Sequence, residues 1–262
     1  MGQPAAKNTF FNMVTCHFNG RLGNQMFQIA AAYSLALDNN DVARFPITSS
    51  PYITNVFKNV LEFKSNEAIQ FKLHHENGFH YSPIQYTNNL MLIGFYQSEK
   101  YFINNKYKIY DLFKPDDKII NTLKYKHKFI LLDETCSIHV RRGDYIAQFN
   151  NHPPCTLEYY KEAMSLFSKH VKFLIFSDDI IWCKQNFIGD QFTFIENNPD
   201  YFDLYLMAQC THNIIANSSF SWWGAWLNQN PNKIVIAPNK WFGPGLQHHS
   251  TKDLIPNLWT KI

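Results

Sequence analysis

Apolar and polar residues follow one another in two rhythms along this chain. Short apolar runs at 13–18 (MVTCHF), 90–95 (LMLIGF), 136–140 (CSIHV), 172–176 (KFLIF), 192–195 (FTFI), 213–216 (NIIA) and 233–237 (KIVIA) have the length and β-branched content of strands. Segments with helical spacing lie between them. MFQIAAAYSLAL sets Phe27, Ala30, Ala31 and Leu35 on one face; SEKYF opens another helix; 116–126 is polar and amphipathic; 156–170, DDIIWCKQ, 201–209 and SFSWWGAWLNQ follow. Strands alternating with helices of about ten residues predict βα units and parallel sheets. The reading is an α/β fold with one Rossmann-like unit on each side of a boundary near residues 125–133. The domains are 1–128 and 129–245, with the tail 246–262 placed to pack back on the first. A cleft between two such units suits a nucleotide and a second substrate.

In an open parallel sheet, ligands bind beyond the carboxyl ends of the strands. In the second half those ends carry His139, Arg141, Arg142 and Asp144, then Ser177, Asp178 and Asp179, then Ser218 and Ser219, then Pro238 to Trp241. Strand alternation puts His139 and Arg141 on one face and Arg142 on the other. One arginine can then meet a ligand while Arg142 pairs with Asp178 or Asp179. A guanidinium grips phosphate with a two-pronged hydrogen bond. Ser218 and Ser219 open a helix, where a hydroxyl serves as an N-cap or holds phosphate beside free N–H groups; the two roles are compatible. Asp203, three residues after Asp200, suits a capping arrangement. The Trp222, Trp223 and Trp226 cluster reads as helix packing rather than a sugar platform. In the first half, NGRLGNQ places Gly20 and Gly23 in a tight strand-to-helix loop, with Asn24 and Gln25 as caps or cleft residues. It is neither GxGxxG nor a P-loop.

Composition narrows the class. The chain has 262 residues, 45% hydrophobic and 17% charged, with a net charge of +3, so an anion site is local and nucleic acid is not an expected partner. The N-terminal sequence lacks the apolar core of a signal peptide, and no apolar run of transmembrane length occurs. The expectation is a cytoplasmic protein, with peripheral attachment to a membrane left open. Five scattered cysteines without a CxxC pair predict reduced thiols. The histidine pairs at 74–75 and 248–249 lack metal spacing, so no metal site is expected. Arg142-Gly143-Asp144 spells RGD, but it follows an apolar strand rather than sitting on an adhesive loop.

Taken in order, GRLGNQMFQIAAAYSLA, SEKYF, HVRRGDY, FSDDIIWC, DLYLMAQCTHNIIANSSFSWWGAWL and IAPNKWF cover nearly the whole chain. The set resembles the α-1,2-fucosyltransferase family, especially its bacterial-type members. The resemblance implies two facing Rossmann-like domains in the GT-B arrangement. It implies GDP-fucose as donor, a galactose-terminated glycan as acceptor, transfer to the 2-hydroxyl with inversion, and no metal or other cofactor. It further implies that Arg141 grips the β-phosphate and that His139 lies against the guanosine. Asp203 would read the guanine edge, Ser218 and Ser219, with Phe220 beside them, would hold the donor, and Asn24 would approach the fucose or the departing oxygen. Asp178 or Asp179 would orient the arginines or touch the nucleoside, with Asp178 the one placed among the donor-binding residues. Arg21 and Gln25 are then expected in the cleft. Asp144, the carboxylate nearest the arginines, is the candidate base, with Glu99 a second candidate. The alternatives are a related GDP-sugar transferase with another linkage or acceptor, or a glycan-binding protein without turnover.

Overall fold

Each predicted apolar run forms the core of a strand, shortened where the last residues turn into the cleft. The computed structural model describes residues 12–47, 50–63, 69–128 and 134–262. Strands β1 (Met13–Cys16), β2 (Val42–Ala43), β3 (Lys72–His75) and β4 (Leu90–Ile93) form a parallel sheet in the order β2-β1-β4-β3. Strands β5 (Thr135–Val140), β6 (Lys172–Ser177), β7 (Phe192–Phe194), β8 (His212–Ile214), β9 (Val235–Ala237) and β10 (Thr260–Lys261) form a second parallel sheet in the order β10-β9-β8-β5-β6-β7. Counted from β5, that is the 3-2-1-4-5-6 order of a Rossmann fold read from the other edge. All six residues of β5 are buried, as expected of a central strand covered on both faces.

The helices are α1 (Leu22–Asp38), α2 (Lys106–Phe113), α3 (Asp117–Lys126), α4 (Gly143–Ala147), α5 (Leu157–Ser165), α6 (Ile180–Asn186), α7 (Asp200–Gln209) and α8 (Ser219–Leu227). Three of them start with a side-chain cap: Asp116 accepts from the Ile119 amide, Thr156 from Tyr159 and Asp179 from Trp182. Two helical expectations change. SEKYF opens no α-helix; Glu99–Tyr101 is a single 3₁₀ turn, and α2 begins only at Lys106. The helix expected over 156–170 stops at Ser165, short of the Ser168–Val171 turn that feeds β6.

One continuous core runs from the first sheet through α1 to α7 and α8, and a second fills the other face of the second sheet. The link is the tryptophan cluster. Phe27 of α1 packs 4.5 Å from Trp222 and 5.0 Å from Trp223, ring centre to ring centre. Each indole also donates a hydrogen bond out of α8: Trp222 to the Leu254 carbonyl, Trp223 to the Gly23 carbonyl, and Trp226 to Glu99. These rings are buried packing between the two halves, as their spacing predicts. The C-terminal segment touches both halves. Asp253 pairs with Lys100 at 2.6 Å and accepts from the Tyr81 amide, while β10 joins the edge of the second sheet. The five cysteines are free thiols, four of them buried. Among the described residues no helix is long and apolar enough to cross a membrane. The predicted boundary near 125–133 falls mostly on residues 129–133, outside the described residues.

Candidate active site

Each sheet has one place where strand order reverses, and ligands bind outside the carboxyl ends of the strands at such points. In the first sheet it lies between β1 and β4, in the second between β5 and β8. The structure brings both points together at one cleft of about 820 Å³. The loop after β1 leads into α1 and the loop after β8 into α8, so two helix N-termini meet there. A Cβ on Gly23 would lie 2.6 Å from the Phe220 nitrogen, so the helices cross backbone to backbone at that residue. Asn24 joins the pieces: its Oδ1 accepts from Ser219 Oγ at 2.6 Å and from Gln97 Nε2 at 2.9 Å. Neither helix has an acidic residue in its first turn or a side-chain N-cap bond, so the positive partial charge of both starts is offset by no side chain of their own first turns, although the Asn24 amide already bonds the Arg21 carbonyl.

Beyond β5 the arginines divide as alternation predicts. Arg141 lines the cleft and is held by Asp144 (2.6 Å) and Asp178 (2.8 Å), with its guanidinium over the Tyr145 ring. Arg142 turns away, bonds Asp179 at 3.1 Å and stacks 4.1 Å above Trp182. The two aspartates thereby separate: Asp178 faces the cleft and Asp179 caps α6. A Cβ on Gly143 would lie 2.6 Å from Asp178 Oδ2, so any side chain there would displace the carboxylate that holds Arg141. Asp144 also pairs with Arg21 at 3.4 Å, so two guanidiniums draw on one carboxylate.

His139 is 6% exposed, and burial holds its pKa down to about 4, so the ring is neutral at pH 7. Its ring lies 5.5 Å from Phe220, and its buried Nδ1 has no hydrogen-bond partner among the described residues. Such an atom awaits a ligand or a water. Asp203, at the start of α7, accepts from Asn198; burial pushes its carboxyl up to about 7. Ser218 is the N-cap residue of α8, but its side chain makes no cap bond.

Of the residues expected at the site, Arg21, Asn24, His139, Arg141, Asp144, Asp178, Asp203, Ser218, Ser219 and Phe220 line the cleft. Two do not. Gln25 folds back so that its amide donates to the Gly20 carbonyl; one position after Asn24 on a helix, it points about 100° away. Glu99 accepts from the Trp226 indole and lies behind the cleft wall, which removes it as a base. Several cleft residues carried no sequence signal. They are Glu76, Phe79, Gln97, His152 and His249, none of them in a quoted motif; Phe242 closes the IAPNKWF motif but was given no role.

The sequence matches the family model described as glycosyl transferase family 11 over residues 3–260. It is 31% identical to the α-1,2-colitosyltransferase of Escherichia coli, across 96% of this chain and 99% of that protein. It is 24% identical to galactoside α-(1,2)-fucosyltransferase 2 of Oryctolagus cuniculus, across 82% and 67%. Among solved structures, fucosyltransferase NodZ from Bradyrhizobium superposes with a TM-score of 0.54 at 12% identity, covering 82% of this chain and 92% of that one. POFUT1 in complex with GDP-fucose superposes with a TM-score of 0.53 at 13% identity, covering 86% and 97%. These likenesses establish the two-unit GT-B fold.

Proposed function

This chain belongs to glycosyl transferase family 11, and from that premise we propose that it moves L-fucose from GDP-fucose to the 2-hydroxyl of a terminal β-galactoside, with inversion and without a metal. The observation that carries the reading is the meeting of two helix N-termini beside Arg141, bridged by Asn24 and Ser219. Breaking the sugar–phosphate bond leaves positive charge on the sugar and negative charge on the diphosphate. Arg141, the first-turn N–H groups of α1 and α8, and the Ser218 hydroxyl are fixed donors for that negative charge, the work a divalent cation does elsewhere. Asp144 and Asp178 hold the guanidinium in place before the donor arrives, so little reorganisation is needed. The orphan Nδ1 of His139, beside Phe220, and the carboxyl of Asp203 supply a ring face and hydrogen-bonding atoms for the guanosine.

The 31% identity to a colitosyltransferase favours a second donor reading, a colitosyl nucleotide in place of GDP-fucose. Sites that hydrogen-bond a sugar hydroxyl discriminate strongly against a donor lacking it, so direct competition between the two donors decides.

The test is incubation of the full chain with GDP-fucose, a β-galactoside and excess chelator, following GDP release and product linkage. Transfer to the 2-hydroxyl is expected. No transfer to any galactose-terminated acceptor overturns the function, and loss on chelation overturns metal independence. Arg141→Ala should abolish turnover in a folded protein; a near wild-type rate removes the phosphate role.

A further inference from the structure

The second sheet serves as a ruler along the cleft, with neighbouring strands about 4.8 Å apart. The donor-holding groups occupy its middle and one side: His139 and Arg141 after β5, Ser218 and Ser219 after β8, and Asp178 after β6, with Asp203 past β7. The β9 side is chemically different. Trp241 and Phe242 follow that strand, and Phe242 packs 4.8 Å from Phe79, which follows β3 in the first sheet. His249 lies 5.7 Å from both rings, and His152 5.6 Å from Phe242. These rings are half-exposed and line the cleft. Burial lowers the pKa of both histidines, with His248 adding to the effect on His249, so at neutral pH the surface is uncharged. His152 Nδ1 is buried with no partner among the described residues.

The loops that carry the rings are held in place. The Gly243 and Gly245 amides donate to the Asn151 and Asn150 carbonyls, and Asp253 ties the C-terminal segment to Lys100. An uncharged, pre-formed patch of ring faces and edges, open to a cleft and flanked by a spare hydrogen-bonding atom, suits a neutral sugar ring and not a phosphate.

A carboxylate adjoins this patch. The Phe95 and Tyr96 amides donate to the two oxygens of Glu76 at 2.6 and 2.8 Å, and the Phe95 ring lies 6.4 Å from Phe79, centre to centre. The other cleft carboxylates are engaged elsewhere. Asp144 and Asp178 hold Arg141, Asp200 accepts from Tyr52, and Asp203 accepts from Asn198 on the far side. Glu76 has no ion pair among the described residues, and burial raises its pKa against the lowering effect of those two amides, so the net shift favours proton uptake.

We propose that Phe79, Phe242, His152 and His249 form the acceptor-sugar subsite, and that Glu76 takes the proton of the attacking hydroxyl. The assignment rests on the transfer reading above. In the step, the hydroxyl oxygen bonds to the anomeric carbon. The bond from that carbon to the β-phosphate oxygen breaks, its electron pair leaving with the diphosphate. The hydroxyl proton passes to the Glu76 carboxylate.

The test is steady-state kinetics of the full chain with GDP-fucose and methyl β-galactoside, beside calorimetric titration with GDP. Phe79→Leu and Phe242→Leu keep apolar bulk and lose the ring. Each should raise the acceptor KM about tenfold and leave the donor KM and GDP affinity within twofold. Glu76→Gln should lower kcat by about 10²-fold or more with GDP affinity retained, and added formate should restore part of the lost rate to Glu76→Ala. Unchanged acceptor KM in both leucine variants, with or without a lower melting temperature, makes the rings a clasp between the halves and overturns the subsite. An unchanged kcat in Glu76→Gln, or a loss in Glu76→Ala that formate does not repair, overturns the proton assignment. A wild-type chain that binds GDP yet transfers nothing overturns the transfer reading instead, so the two failures are distinct.

Discussion

Replacing Gly23 by alanine adds one methyl group where α1 crosses α8. Its carbon would sit 2.6 Å from the Phe220 nitrogen and the Ser219 carbonyl carbon, and 2.8 Å from the Ser219 oxygen. These are backbone atoms at a helix start and cannot rotate away. Restoring ordinary contact separates the two helix ends by about 0.8 Å. That shift stretches the 2.6 Å bond between Ser219 and Asn24 past hydrogen-bonding range and moves both sets of first-turn amides. Overpacking costs about 1–3 kcal/mol of stability. A misplacement near 1 Å in a site built on fixed donors costs about 10²-fold in rate. The expected Gly23→Ala protein is folded, less stable in urea by that amount, weaker for GDP by calorimetry, and about 10²-fold slower. Wild-type GDP affinity and kcat in this variant would refute the view that the crossing of α1 and α8 sets the anion site.

Three further outcomes follow from buried groups. The unfolded chain protonates its histidines below about pH 6.5, whereas folded His139 resists until about pH 4, so stability falls on acidification through that window by on the order of 3 kcal/mol. Urea unfolding of His139→Asn across the same window should show a shallower pH slope. Asp203 has the opposite sign: its carboxyl, raised to about 7 by burial, makes the fold less stable as pH rises from about 4 to 7. Asp203→Asn should therefore be more stable than wild type at pH 8, while losing its preference for GDP over ADP in competition binding. Trp223→Phe keeps a ring but removes the indole N–H that bonds the Gly23 carbonyl of α1, and should lower unfolding free energy by about 1 kcal/mol.

The fold was legible where a strand is buried on both faces. β5 and β6 read as continuous apolar runs because helices cover both sides of the sheet. β3, Lys72–His75, is an edge strand with a polar, mostly exposed sequence, and β2 has two residues; neither gives a period to read. α4 is a single short turn on RGDY and looked like a continuation of the strand end. At the site, the residues at the ends of β5, β6 and β8 could be named, because strand ends and alternation fix their facing. Asn24 and Gln25 could not be told apart, since helix phase is set by the partner helix. Glu76, Phe79 and the acceptor-side role of Phe242 were invisible for another reason. Their positions come from contacts across the cleft, such as Phe79 with Phe242, between residues more than 160 positions apart. No local pattern records such a pairing.

The three indole hydrogen bonds out of α8 bear on how the protein works as a machine. Two reach the first half and one reaches the C-terminal segment, and breaking any of them would strand a buried polar group. A hinge that rocks one unit against the other must break several at once, together with the Phe27 packing. Donor entry and product release therefore proceed through a cleft that stays formed, without domain closure. The distance between donor and acceptor positions is then a constant of the folded chain, not something that substrate binding has to create.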